Sequence, residues 1–127
     1  MKFYTIFYFL ILLFLFACHR NNNCLRDEVA PVISVNVPDS GFINQDISIP
    51  ITYGIGSGCG RFESVDVTAQ GNVRNIRVMA RYEGCICTMQ YATLETSYLF
   101  RTATPGTFYF NFQQSGTDIL HDSIVVR

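Results

Sequence analysis

Apolar and polar residues alternate one for one through most of the chain beyond residue 30. A two-residue period sends successive side chains to opposite faces of an extended strand, and it cannot build an apolar stripe on a helix. "IRVMARY" places Ile76, Val78, Ala80 and Tyr82 on one face and Arg77, Met79 and Arg81 on the other. "TFYFNF" does the same with Phe108, Phe110 and Phe112 against Tyr109 and Asn111. "DISIPITY", "RFESVDVTA" and "YATLETSYLF" repeat the pattern, the last through Leu94, Thr96, Tyr98 and Phe100. "VISVNV" begins the series and "ILHDSIVVR" ends it. Pro38-Asp39-Ser40-Gly41, Gln70-Gly71-Asn72 and Thr104-Pro105-Gly106 are turn clusters. Pro50 interrupts its run, which predicts an edge position or a bulge there.

Seven short strands with one wet face each predict antiparallel sheets. That many strands within about 100 residues predict an all-β fold, an immunoglobulin-like antiparallel β-sandwich. Antibody hallmarks are missing, since the chain has no tryptophan and its cysteines are spaced differently. "PGTFYF" resembles the "PGTY" entry to a late strand of many bacterial Ig-like modules, with Phe108 at the corner-tyrosine position.

The amino terminus carries an address. Residues 3–17 hold no charge and follow Lys2. Such a run is short of the roughly 20 apolar residues that cross a bilayer, and matches the core of a secretory signal. Leu15, Ala17 and Cys18 resemble the lipobox of bacterial lipoproteins, with Phe16 in place of the usual small residue. That resemblance implies removal of residues 1–17 and acylation of Cys18, whose thiol accepts the lipid. Each buried CH₂ contributes about 0.8 kcal/mol, so two or three acyl chains hold a protein firmly. The other reading is an uncleaved signal anchor. Residues 18–29, asparagine-rich, read as the lipidated cysteine and a short polar tether, and residues 30–127 as the sandwich. His19 in place of aspartate after the lipid site points, by the same resemblance, to the outer membrane.

Lys2 is the only lysine among 9 Lys and Arg, so eight arginines face 10 acids in the processed chain. A near-neutral balance argues against nucleic acid as a partner. Five cysteines are an odd number for an exported protein. With Cys18 carrying lipid, Cys24, Cys59, Cys85 and Cys87 form an even set that predicts two disulfides. Cys59–Cys85 with Cys24–Cys87 is the favoured connectivity, given a bulge at Gly84, and the exchanged pairing is served almost as well. Cys85 and Cys87, two apart on a strand, would share a face about 6–7 Å apart, which suits two separate partners. A soft-metal or thiol-exchange role for Cys-Ile-Cys is the competing reading.

Catalytic signatures are sparse. His121 and Asp122 are strand neighbours that point to opposite faces. "GIGSGCG" lacks the lysine of a phosphate loop, and no G-x-S-x-G occurs. Asp66, Glu63, Glu83 and Glu95 read as solvated strand faces. Arg77 and Arg81, with Arg74, form a candidate anion strip, and Tyr109 and Tyr91 are candidate sugar platforms. Arg77, Arg81 and Tyr109 thus make the expected ligand surface, with no cofactor and no metal.

"GCGRF", "ARYEGCICT", "PGTFYFNF" and the final "IVV" together resemble a family of small Bacteroidota-type lipoproteins. The resemblance covers residues 55–127 and implies a lipid-anchored Ig-like domain without a known activity. The expectation is a non-enzymatic envelope module that binds or braces another protein. A glycan or small-ligand binder and a metal or redox protein are the alternatives.

Overall fold

A computed structural model describes residues 24–127. The signal segment and Cys18 lie outside these residues. The described part is all β, in nine strands: β1 (Leu25–Ala30), β2 (Val32–Val35), β3 (Ser40–Gly41), β4 (Ile47–Ile55), β5 (Gly60–Gln70), β6 (Val73–Glu83), β7 (Ala92–Phe100), β8 (Gly106–Gln113) and β9 (Ile119–Val126). They form two sheets. The larger runs β1-β6-β8-β9-β3 with β5 on the other edge of β6, and the smaller runs β2-β4-β7.

The expected faces hold through the core. Ile47, Ile49, Ile51 and Tyr53 of β4 meet Ile76, Val78, Ala80 and Tyr82 of β6 and Phe108, Phe110 and Phe112 of β8. Burial of each such side chain contributes roughly 1.5–3 kcal/mol. Phe100 joins the two sheets: its ring lies 5.1 Å from both Phe108 and Phe110, edge-on to the second. This offset geometry lets the positive ring edge meet the negative face.

Three expectations about the strands are corrected. The sheets are not purely antiparallel, because β8 runs parallel to β6 and β3 parallel to β9. Alternation reports that one face is wet, and says nothing about direction. Here the chain leaves β6, crosses to the other sheet as β7, and returns as β8 in the direction of β6. Pro50 is not at a sheet edge, since β4 is the central strand of its sheet. Its carbonyl accepts from Asn36 on the β2 flank. In an antiparallel ladder the N–H and C=O of a residue point the same way. The missing donor therefore falls opposite Asn36, just past the end of β2 at Val35, and the register with β7 runs through Pro50 without a bulge. Third, residues 25–29 are not tether. They form most of β1, which pairs with β6 from Leu25↔Glu83 to Ala30↔Val78. Only Ala30 of this strand is buried, so its sequence reads as solvated. Pro31 then transfers the chain to the other sheet, where its carbonyl accepts from Gly54 N–H at 2.9 Å.

The β5–β6 hairpin turns at Gly71-Asn72, and Gly71 has the positive φ (57°) that tight primed turns require. The hairpin's bulge lies in β5 between Phe62 and Ser64, not at Gly84. Gly84 instead, at φ 127°, turns the chain out of β6 into an irregular loop over residues 84–91. A Cβ there would also crowd Cys59 Sγ at 3.2 Å.

This geometry sets the cysteine pairing. Cys24–Cys85 and Cys59–Cys87 are the two disulfides, with Cα separations of 5.0 and 5.5 Å. The favoured connectivity is thus replaced by the exchanged one. Cys85 and Cys87 lie in the loop, not on a strand, so a shared face does not govern them. Because β1 is a strand, the Cys24 carbonyl accepts from Gly84 N–H at 3.0 Å, and its side chain meets Cys85. On the other flank of β6 the Cys59 carbonyl accepts from Glu83 N–H, and the loop doubles back to bring Cys87 over it.

The longer disulfide spans 61 residues, and closing such a loop in the unfolded chain corresponds to about 4 kcal/mol. Cys24→Ala/Cys85→Ala should lower unfolding free energy in urea by roughly 2–4 kcal/mol. Amide exchange should accelerate first in β1, which has little burial to hold it. Uniform acceleration across both sheets would show that the bond is not what holds β1.

Candidate functional site

The outward face of the larger sheet gathers polar side chains into rows. Register places Thr68 of β5 beside Asn75 of β6, Asn75 beside Asn111 of β8, and Asn111 beside His121 of β9. Asn111 Nδ2 donates to Asn75 Oδ1 at 2.9 Å, and Asn111 Oδ1 lies 2.7 Å from His121 Nδ1. With the amide oxygen accepting, Nδ1 carries the proton and donates.

Next to this row lies a shallow depression of about 430 Å³, lined by Thr68, Asn75, Arg77, Asn111, Gln113 and Ser115 among others. The β8–β9 hairpin forms one rim. Ser115 Oγ donates to Asp118 Oδ2 at 2.9 Å, and Gln114 N–H donates to the Asp118 carbonyl. The lining offers amide and hydroxyl donors and acceptors with one guanidinium. It suits a hydroxyl-rich or weakly anionic ligand. Among the described residues no group of three His, Cys, Asp or Glu side chains is placed to hold a metal ion.

The expected ligand surface is only partly assembled. Arg77 does face this depression, and its nearest carboxylate, Asp66, is 3.9 Å away with both side chains about half exposed. So loose a pair contributes little and leaves the guanidinium available. Tyr109 stands on the same face, exposed and two residues before Asn111 on β8. Arg81 is already neutralised: Asp27 takes two parallel hydrogen bonds at 2.8 and 3.1 Å, and Glu63, carried by the β5 bulge, lies at 2.7 Å. Arg74 lies on the opposite face. Its guanidinium covers the Phe108 and Phe100 rings at 5.5 and 5.9 Å and donates to the Gly71 carbonyl at 2.7 Å. There is therefore no strip of three arginines. Even and odd positions of one strand face opposite ways, and the acids that cancel Arg81 come from two other strands. His121 and Asp122 point to opposite sides as expected, and Asp122 accepts from the Ser123 N–H. The Asn75-Asn111-His121 row was not foreseen. Its only signal was outward alternation, and alternation does not reveal register between strands distant in sequence.

The Arg81 cluster carries a pH dependence. The Arg81 hydrogen bonds hold the Asp27 carboxyl below its ordinary value, desolvation opposes this, and the charge of Arg81 adds to it. A lowered folded-state value means that the unfolded chain binds a proton first as pH falls. The stabilisation is complete above the unfolded carboxylate value and disappears as pH falls through the folded one. Asp27→Asn should therefore flatten stability against pH in the acid range, with β1 exchange rates at neutral pH raised. An unchanged acid profile in urea titrations would remove Asp27 as its source.

A family model described as the ORF11 beta-sandwich domain matches residues 49–119. These residues run from within β4 to the first residue of β9, and include the hairpin, the double-disulfide loop and most of the polar row. No curated protein and no solved structure matched the chain. With more than half of its 127 residues covered, the chain belongs to the ORF11 beta-sandwich domain family.

Proposed function

We propose that this chain is a lipid-anchored cell-envelope protein. Its immunoglobulin-like β-sandwich serves as a non-enzymatic module that binds or braces another envelope protein. One observation carries the reading: the four cysteines after Cys18 are all consumed in two disulfides. That pattern belongs to an oxidising compartment. It leaves Cys18, in the Leu15-Phe16-Ala17-Cys18 sequence that resembles a lipobox, as the odd thiol available for acylation. The switch of the first strand between sheets at Pro31 supports the immunoglobulin-like description. By the lipobox resemblance, His19 supports the outer membrane as the destination. The outward polar face, unlike the ion-paired Arg81 cluster, is the surface with hydrogen-bonding groups to spare.

A second reading has its own support. Arg77, Asn111 and Gln113 in the depression, with the exposed Tyr109 further along the same face, form a surface of the kind that contacts sugar hydroxyls. A glycan ligand is therefore the alternative occupant of the depression.

Cys18→Ala should abolish incorporation of labelled palmitate and shift the protein from the membrane to the soluble fraction. An unlabelled wild type that stays on the membrane would favour the signal anchor instead. Photo-crosslinking from position 77 in intact envelopes distinguishes the occupants of the outward face. A protein adduct supports the first reading, and an oligosaccharide adduct supports the second.

A further inference from the structure

We infer that the disulfide-clamped loop between β6 and β7 is a membrane-seating tip: Ile86 and Met89 insert into the interface of the bilayer that holds the Cys18 anchor. The inference rests on the anchoring reading above and adds an orientation to it.

Ile86 and Met89 are 97 and 98 % exposed. Two such side chains three residues apart on one loop concentrate exposed apolar surface there, and concentrated apolar surface marks an interaction site. Leu25 is about half exposed and lines one shallow depression with Met89, Ser57 and the disulfides. The Ser57 hydroxyl is buried there with no hydrogen-bond partner among the described residues. The tip is not a floppy segment that happens to carry apolar residues. Cys85 and Cys87 flank Ile86, each in a disulfide, and Gly58 N–H donates to the Thr88 carbonyl at 3.0 Å. A loop held in place before contact loses little conformational entropy on insertion.

Charge distribution separates the two ends of the sandwich. Residues 47–60 and 84–94, which supply the two loops joined by Cys59–Cys87, contain no Asp, Glu, Lys or Arg. The opposite end carries Asp39, Asp46, Arg101 and Arg127, with an ion pair between Arg101 and Asp46 at 3.3 Å. The loops that carry Ile86 and Met89 thus bring no charge of their own to the tip, and the charges nearest to them are already paired, Arg61 with Glu83 and Arg26 with Glu28. Arg26, 5.0 Å over the Tyr82 ring and paired with Glu28 at 3.0 Å, lines the same depression as Met89.

Chain length selects the bilayer as the occupant. Cys24 is disulfide-bonded to Cys85, the residue before Ile86. Six residue steps separate Cys24 from Cys18, a reach of at most about 20–22 Å. The tip is thus tied at the root of the anchor, and an interfacial element penetrates only about 5–10 Å.

The chain has no tryptophan, so Ile86→Trp gives a single reporter at an exposed position that the fold does not use. Phe42→Trp, at a site 67 % exposed at the charged end, is the control. Each full-length acylated protein is reconstituted into phosphatidylethanolamine/phosphatidylglycerol vesicles containing acyl-brominated lipid. Indole emission from the Ile86→Trp protein should shift to the blue and lose intensity, and emission from the Phe42→Trp protein should not change. Vesicle flotation and palmitate label, read on the same samples, separate the two claims. An Ile86→Trp protein that is labelled and floats yet stays unquenched overturns the tip, as does quenching of the Phe42→Trp protein in its place. A protein with neither label nor flotation ends the anchoring reading and this inference with it.

Discussion

Strand β6 is the constraint on which the rest of the molecule depends. Its inward residues Ile76, Val78, Ala80 and Tyr82 are all buried. One of its edges is filled along its length by β5. The other is divided, with β1 along residues 78–83 and β8 along residues 73–76. Among the described residues no other strand touches three neighbours. The division explains the mixed sheet, because a short β1 leaves half an edge open, and a strand returning from the opposite sheet fills it in parallel. It also explains the cysteines. A strand flanked on both sides near its end delivers the following loop between two partners, Cys24 on one side and Cys59 on the other, and the loop carries one thiol for each.

What could be read in the sequence follows from this division. Seven strand runs, the inward faces and the use of all four cysteines in disulfides were legible, because burial writes a period of two directly into composition. β1 was not legible. Five of its six residues are exposed, so its pattern is that of a tether, and what holds it is ladder pairing, the Cys24–Cys85 bond and the Asp27–Arg81 pair. Two-residue β3 was too short to leave a pattern at all. The connectivity depends on β1 in the same way: with Leu25–Ala30 paired to β6, Cys24 just before that strand reaches Cys85 and not Cys87. The candidate site was legible only as outward-facing residues. Arg77 and Tyr109 do share a face, but Arg81 is cancelled by acids from β1 and β5 that no local pattern connects to it.

The contrast between Arg81 and Arg77 shows how one sheet face divides its labour. Arg81 holds two carboxylates at hydrogen-bonding distance, while Arg77 has one at 3.9 Å. A guanidinium in a fork with carboxylate has few donors to spare. Arg81 thus fastens β1 to β6 at a place where apolar burial is thin. Arg77 lies over the junction of β6 and β8, where Phe112 and Ile76 already fasten the sheet from beneath. Its charge is not needed for cohesion there, and together with the amide row it leaves the face able to exchange water for a ligand.

On the proposed anchoring at Cys18, position relative to the membrane decides what that face can meet. The row of Asn75, Asn111 and His121 crosses the strands, and the strands run from the cysteine end towards the charged end. A face containing the strand axes looks sideways when the cysteine end is turned to a membrane, so its ligand approaches along the bilayer plane. On the same reading the Cys24–Cys85 bond limits the height of that approach. With the bond intact, six residue steps separate Cys18 from Cys24; with it cut and β1 peeled away, twelve steps separate Cys18 from Ala30. The maximum reach then grows from about 20 Å to about 40 Å. On the proposed anchoring, a cysteine directly before β1 therefore fixes both the hold on a weakly buried strand and the distance at which the polar face is presented.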